Sequence, residues 1–190
     1  KMKNNFLITT GGSGGHVIPA IILYKHLSKE ANVFISSDKR GLRYLDQDIY
    51  QLKIINTPKL SNIFFLPINS LIILFLTLKS IFLLKSSKIE KVISTGGYMS
   101  LPIILASKIL KFDIYLIEPN HVLGRANKFF LNFSKKIFCY SNQIKNFPKN
   151  FEKKIIMINP LVKKEVYNLN SQVKTKVKFN LLIVGGSQGA

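Results

Sequence analysis

Three times in this sequence a short run of aliphatic residues stops at a cluster of glycines. Residues 5–10 run into Gly11-Gly12-Ser13-Gly14-Gly15, residues 91–95 into Gly96-Gly97, and residues 179–184 into Gly185-Gly186-Ser187-Gln188-Gly189-Ala190. A short apolar run closed by a tight turn reads as a strand buried on both faces. Helical patterns separate such runs, so the strands pair in parallel with helices on both sides. The fold class expected is α/β, a Rossmann-like parallel sheet. In such sheets ligands bind beyond the carboxyl ends of the strands, where these glycine turns lie.

The remaining elements follow the same alternation. Strands are expected at 5–10, 32–37, 52–57, 91–95, 113–117, 137–141 and 154–158. A helix follows the first glycine cluster, with Val17, Ile18, Ile21, Ile22 and Leu27 on its apolar side. Others are expected over 71–84, capped by Ser70, from near Met99, and over 122–133. The last strand and glycine turn look like the opening of a second α/β unit. Together with Lys1 before Met2, this reads as one domain over 1–160, a linker over 161–177 and the start of another domain over 178–190.

Composition removes several classes. Apolar residues make up 47% and charged residues 19% of the 190, the opposite of a disordered chain. One cysteine, Cys139, rules out an internal disulfide, fits a reducing compartment, and reads as a small buried hydrophobe. His16, His26 and His121 are scattered, which argues against structural zinc, and His26 falls on a solvated helix side. The apolar stretch Phe6-Leu7-Ile8 is too short for a secretory signal. The net charge of +19 rests almost wholly on lysine, with Arg40, Arg43 and Arg125 the three arginines. It fits either an AT-rich genome or an anionic surface; few arginines and no tryptophan speak against nucleic acid as a partner.

Residues 60–78 carry no charge over a length near the ~20 residues that span a bilayer. Pro67 interrupts the stretch, and Ser61, Asn62, Asn69 and Ser70 are polar. A core helix or a helix lying in the membrane interface is the better reading, and the segment holds more apolar residues than one helix face can bury. Ile63, Phe64, Phe65 and Leu66 form an apolar cluster, and Lys59, Lys79, Lys85, Lys88 and Lys91 rim the segment. Apolar side chains ringed by lysine suit an anionic membrane surface.

The first glycine loop, Gly11-Gly12-Ser13-Gly14-Gly15-His16-Val17-Ile18-Pro19, presents backbone N–H groups and a helix N-terminus to phosphate. It half-fits a dinucleotide fingerprint: Gly12 and Gly14 match, Val17 does not, and Asp38 stands where a ribose-binding acid belongs. A nucleotide-dependent oxidoreductase therefore stays open at this point. A Walker A loop is absent. The second loop reads Ser94-Thr95-Gly96-Gly97-Tyr98-Met99-Ser100, and Glu118-Pro119-Asn120-His121 ends the fifth strand.

In this order, with Asn159-Pro160 and the last glycine turn, these motifs resemble the MurG family over the whole chain. Those glycosyltransferases add N-acetylglucosamine to the undecaprenyl-pyrophosphoryl-muramoyl-pentapeptide lipid of bacterial cell walls. The resemblance implies the N-terminal, acceptor-binding domain of a GT-B enzyme. It implies inverting, metal-independent transfer from UDP-N-acetylglucosamine without a cofactor, at the cytoplasmic face of the inner membrane. Carried over, Ser13, Gly14 and Gly15 contact donor, Ser13 replacing the usual threonine. Asn120 and Glu118 match the family's acidic stretch, where Ile117 and Pro119 replace histidine and glutamine. Ser187 matches the third loop, and Val162 stands where an arginine is usual, beside Lys163.

The chemistry implied is attack of a muramoyl 4-hydroxyl on the anomeric carbon as UDP leaves. His16 is the first candidate base, because an ordinary histidine titrates near neutral pH. Glu118 is the rival, with loop-holding as its other role. Gly14-Gly15 and Gly96-Gly97 would bind the acceptor pyrophosphate, and Tyr98 would line the acceptor cleft. Beside the transferase and the oxidoreductase stands a third reading, a non-catalytic membrane-binding remnant. The chain alone is expected not to turn over donor.

Overall fold

The computed structural model describes residues 4–58, 65–163 and 166. Seven strands form one parallel sheet: β1 Asn5–Thr9, β2 Asn32–Ser37, β3 Leu52–Ile54, β4 Lys91–Ser94, β5 Asp113–Glu118, β6 Lys136–Cys139 and β7 Ile155–Met157. Their order is β3-β2-β1-β4-β5-β6-β7. The order reverses between β1 and β4, which places a crevice at their carboxyl ends. The expected strand at 179–184 and the last glycine loop lie outside the described residues.

The strands are legible in sequence because each is buried on both faces. Neighbouring residues enter opposite cores: Leu7, Val92 and Leu116 join one apolar cluster, Ile8, Ile93 and Ile117 the other. The register sets them side by side, Leu7 against Val92 and Ile8 against Ile93. Period-two alternation thus supplies two cores from one strand. Helix α1, Gly14–Leu27, closes the second core through Val17 and Ala20. Helices α2, Leu66–Ser86, α3, Leu101–Ile109, and α4, Arg125–Phe130, cover the first.

Helix α2 departs from the sequence reading. It starts at Leu66, not at Ser70, and the Ser70 hydroxyl donates to the Leu66 carbonyl inside the helix. Pro67 does not break it but occupies the first turn, where its missing N–H costs nothing and its fixed φ is already helical. Helix α4 is also shorter than expected. Val122 pairs with Lys145 in a bridge, and Gly124 in extended conformation begins the helix. A 3₁₀ turn, Tyr98–Ser100, precedes α3.

On α2 the buried stripe is Ile73, Thr77, Ser80 and Leu84. The two hydroxyls return to the carbonyls of Ile73 and Leu76, so small side chains let the helix lie close on α3. The other faces are apolar and exposed: Ile68, Leu71, Leu74, Phe75, Leu78 and Phe82 all point to solvent. The helix is long and apolar enough to cross a membrane, yet its buried stripe ties it to the sheet domain. Replacing Leu84 with alanine should cost about 2–5 kcal/mol in urea unfolding, whereas Phe82→Ser should change the midpoint little. Equal losses for the two variants would show that Phe82 belongs to the core.

Candidate functional site

The pairing of β1 with β4 brings the first two glycine loops together. Beyond the strand ends the ladder continues as Thr95 N–H donates to the Thr9 carbonyl. The Thr95 hydroxyl then donates to the Thr10 hydroxyl at 2.8 Å, both residues being buried. His16, on the first turn of α1, bonds through Nδ1 to the Thr95 carbonyl at 2.8 Å. A carbonyl only accepts, so Nδ1 carries the proton and the neutral ring keeps its lone pair on Nε2. Gly96 adopts φ +94°, and a side chain there would press on the imidazole at about 3.2 Å. Glycine is needed at that position both for its backbone conformation and for the ring it faces.

The first loop is held from the other side by Asp38. This carboxylate is 4% exposed and accepts from the Gly12 and Gly41 N–H groups at 2.8 and 3.0 Å. Its other oxygen takes Arg40 at 2.7 Å, and Arg40 Nη2 donates onward to the Tyr98 hydroxyl at 2.6 Å. The guanidinium also lies over the Tyr98 ring, 5.3 Å from its centre. Burial works against the Arg40 charge, but Asp38 outweighs it and holds the guanidinium above its ordinary pKa. The oxidoreductase reading needed Asp38 free for a ribose. Instead Asp38 is turned inward and spent on the loop, which removes the residue that carried that reading.

Helix α1 begins with Ser13 in extended conformation, and its hydroxyl makes no cap bond. The N–H groups of Gly14 and Gly15 fall in the first helical turn, where no intrahelical acceptor exists. They are the donors an anion would meet.

Glu118 closes the third side. It is 2% exposed, and four donors surround its carboxylate. Oε1 accepts from the Asn120 N–H and side-chain amide, and Oε2 from the Gly124 N–H and Asn127 Nδ2 at 2.9 and 3.0 Å. All of its oxygen lone pairs are engaged, a geometry for fixing the 118–124 loop rather than for collecting a proton. Asn127 also donates to the Ile117 carbonyl and sits beside Gly96, so the third loop abuts the second. Among the described residues its buried Oδ1 finds no hydrogen-bond partner.

Gly14, Gly15, His16, Gly96, Gly97 and Tyr98 therefore converge, with Glu118 and exposed Asn120 behind them. Ser187 lies outside the described residues. Val162 and Lys163 are elsewhere, lining a groove of about 410 Å³ with Ile21, Ile22, Lys25 and His26 of α1 and Lys29 just past its end. Thr10, Arg40 and Asn127 neighbour the candidate site residues and carried no motif; contacts made by the fold bring them there. Cys139 packs beneath Glu118 on the next strand, and burial first, then the Glu118 charge, pushes its thiol up to about 12.

A model of the glycosyltransferase family 28 N-terminal domain matches residues 6–139. The chain is 51% identical over 190 residues to the UDP-N-acetylglucosamine--N-acetylmuramyl-(pentapeptide) pyrophosphoryl-undecaprenol N-acetylglucosamine transferase of Pelagibacter ubique (strain HTCC1062), covering 100% of this chain and 53% of that protein. It is 35% identical over 189 residues to the transferase of the same name from Rickettsia canadensis (strain McKiel), covering 97% of this chain and 52% of that one. The crystal structure of Acinetobacter baumannii MurG superposes with a TM-score of 0.75 at 25% identity, over 98% of this chain and 53% of that one. The chain thus spans about half the length of the relatives it matches.

Two outcomes check this geometry. Glu118→Gln, which sets an amide among four donors, should lower unfolding stability by about 1–3 kcal/mol. Iodoacetamide at about pH 8.5, where an ordinary thiol is half ionised, should leave Cys139 unlabelled until the chain unfolds. Rapid labelling of the native chain would contradict the buried, protonated thiol.

Proposed function

This chain belongs to glycosyltransferase family 28, and from that premise we propose that it is the acceptor half of an inverting N-acetylglucosaminyltransferase acting on a lipid-linked muramoyl-pentapeptide. The observation that carries the reading is His16, oriented through Nδ1 by the Thr95 carbonyl between two glycine loops. In the reaction the acceptor's 4-hydroxyl oxygen forms a bond to the anomeric carbon of the donor sugar. The bond from that carbon to UDP breaks, and the hydroxyl proton passes to His16 Nε2. The Gly14 and Gly15 N–H groups, with the backbone of Gly96 and Gly97, hold the acceptor pyrophosphate. Ser13 stands beside them toward the donor.

Glu118 acts in this scheme as a positioning residue. It fixes Asn120 at the cleft edge and, through Asn127, the wall of the second loop. Tyr98, pinned by Arg40, lines the acceptor side. Ser187 would contribute from the donor side, with most nucleotide contacts supplied by a second domain like that of the longer relatives.

The membrane surface is the second part of the proposal. The exposed aliphatic and aromatic faces of α2 would enter the interfacial region while Lys79, Lys85 and Lys88, all exposed, meet anionic headgroups. Each lysine near the surface adds about 1 kcal/mol. The α2 stripe packed on the sheet favours peripheral attachment over a span, on the cytoplasmic face where the nucleotide sugar is made available. Phe65 and Leu66 belong to the exposed patch; Ile63 and Phe64 lie outside the described residues.

Installed in place of the corresponding half of the Pelagibacter ubique relative, this domain should support transfer from UDP-N-acetylglucosamine, and EDTA should not abolish it. In that chimera His16→Ala should lower kcat about 10²–10⁴-fold with little change in thermal stability. Unchanged turnover would remove His16 as the base. The chain should also float with anionic vesicles and be released by high salt. Phe75→Ser with Phe82→Ser should weaken flotation without unfolding. Retention of the wild-type chain through alkaline carbonate would contradict peripheral attachment.

A further inference from the structure

An open pocket of about 310 Å³ lies beside the first two glycine loops, lined by Asp38, Lys39, Arg40, Asn56, Thr57 and Tyr98. The acceptor scheme above draws on this pocket only through Tyr98 and through Asp38 and Arg40 as supports of the loops. Arg40 is fixed there three ways: by Asp38, by the Tyr98 hydroxyl and by the Tyr98 ring. Its rotamer freedom is already spent, so a ligand meets a rigid planar donor rather than a mobile chain. The bonds it makes use Nε and Nη2, which leaves the Nη1 edge for another acceptor. Lys39 is exposed at the rim, and its backbone N–H donates to Asn56 Oδ1, which ties the β2 and β3 ends together. Thr57 anchors the floor by donating to the Met99 carbonyl.

The charge of the pocket sets its ligand. Asp38 offsets one of the two cations and leaves a single net positive charge. That matches one carboxylate better than a pyrophosphate, for which the uncapped Gly14 and Gly15 N–H groups stand ready. The pocket also takes in Asn56 and Thr57, just past the end of β3. We propose that it is a carboxylate subsite that receives the peptide stem of the acceptor, and that Lys39 and Arg40 set specificity for an acidic stem. This rests on the acceptor reading above. Asp38 keeps Arg40 in place, and Tyr98 forms the wall shared with the pyrophosphate loops.

The test titrates a short-chain prenyl-pyrophosphoryl-muramoyl-pentapeptide into the 190-residue chain by calorimetry, beside the same compound with its stem carboxylates amidated. Amidation should weaken binding about threefold to fivefold, the range of an exposed charge pair. Lys39→Gln should weaken the acidic compound by a similar factor and leave the amidated one unchanged. Lys39 is exposed, so this variant keeps the fold. Equal affinity of the two compounds for wild type would overturn the proposal. Equal weakening of both compounds by Lys39→Gln would also overturn it, assigning the pocket to phosphate. If neither compound binds, the acceptor reading itself fails and the subsite falls with it.

Discussion

Strands β1 and β4 are neighbours in the sheet but far apart in the chain, with α1, β2, β3 and α2 between them. Their ladder, from Phe6 against Lys91 to Thr9 against Ser94, is what juxtaposes the two glycine loops. The buried Thr10–Thr95 hydroxyl bond carries that pairing past the last strand residue. The Thr95 carbonyl, just before Gly96 of the second loop, then receives His16 from the first. A single parallel pairing thus fixes the loop spacing, the tautomer of the histidine and the mouth of the crevice. Buried polar networks of this kind hold position well only when every member is satisfied. Asn127 Oδ1 is the exception beside the second loop.

The domain's two surfaces follow from the same topology. The carboxyl ends of the strands gather N–H donors and cations: the first turn of α1, Lys39 and Arg40. Helix α2 adds an apolar face that its own stripe of Ile73, Thr77, Ser80 and Leu84 cannot bury. The proposed amphiphilic acceptor would use both, a polar crevice for its pyrophosphate and sugar and an apolar face near its lipid. The excess of lysine, ambiguous by composition alone, has a place in the proposed membrane attachment, because Lys79, Lys85 and Lys88 are exposed on and beside that helix.

Much of the fold was legible because buried parallel strands leave an unmistakable trace. Residues 32–37 and 113–117 alternate between two cores and read as strands without any tertiary knowledge. Helix ends were less legible. Pro67 looked like an interruption, since sequence alone does not say whether a proline sits inside a helix or in its first turn. Residues 122–124 looked helical by apolarity, but Val122 is drawn to Lys145 by a bridge from a distant loop. At the site, glycine loops and His16 announced themselves through local composition. Asp38 was noticed for the wrong partner, because its true partners, Gly12, Gly41 and Arg40, are assembled by the fold. Arg40–Tyr98 and Glu118–Asn127 are long-range pairs of ordinary residues and left no motif. Glu118 could be placed at a strand end from sequence, but the four donors that spend its carboxylate could not.

The central claim is that the Thr95 carbonyl sets His16 with its proton on Nδ1 and its lone pair on Nε2, ready to receive a proton. Long-range ¹H–¹⁵N correlation spectra of the imidazole, recorded on the 190-residue chain at a pH where the ring is neutral, report that tautomer directly. The account predicts that the His16 signal shows a protonated Nδ1 and an unprotonated Nε2, and that it loses this fixed tautomer when the chain unfolds. A native His16 carrying its proton on Nε2 would contradict it.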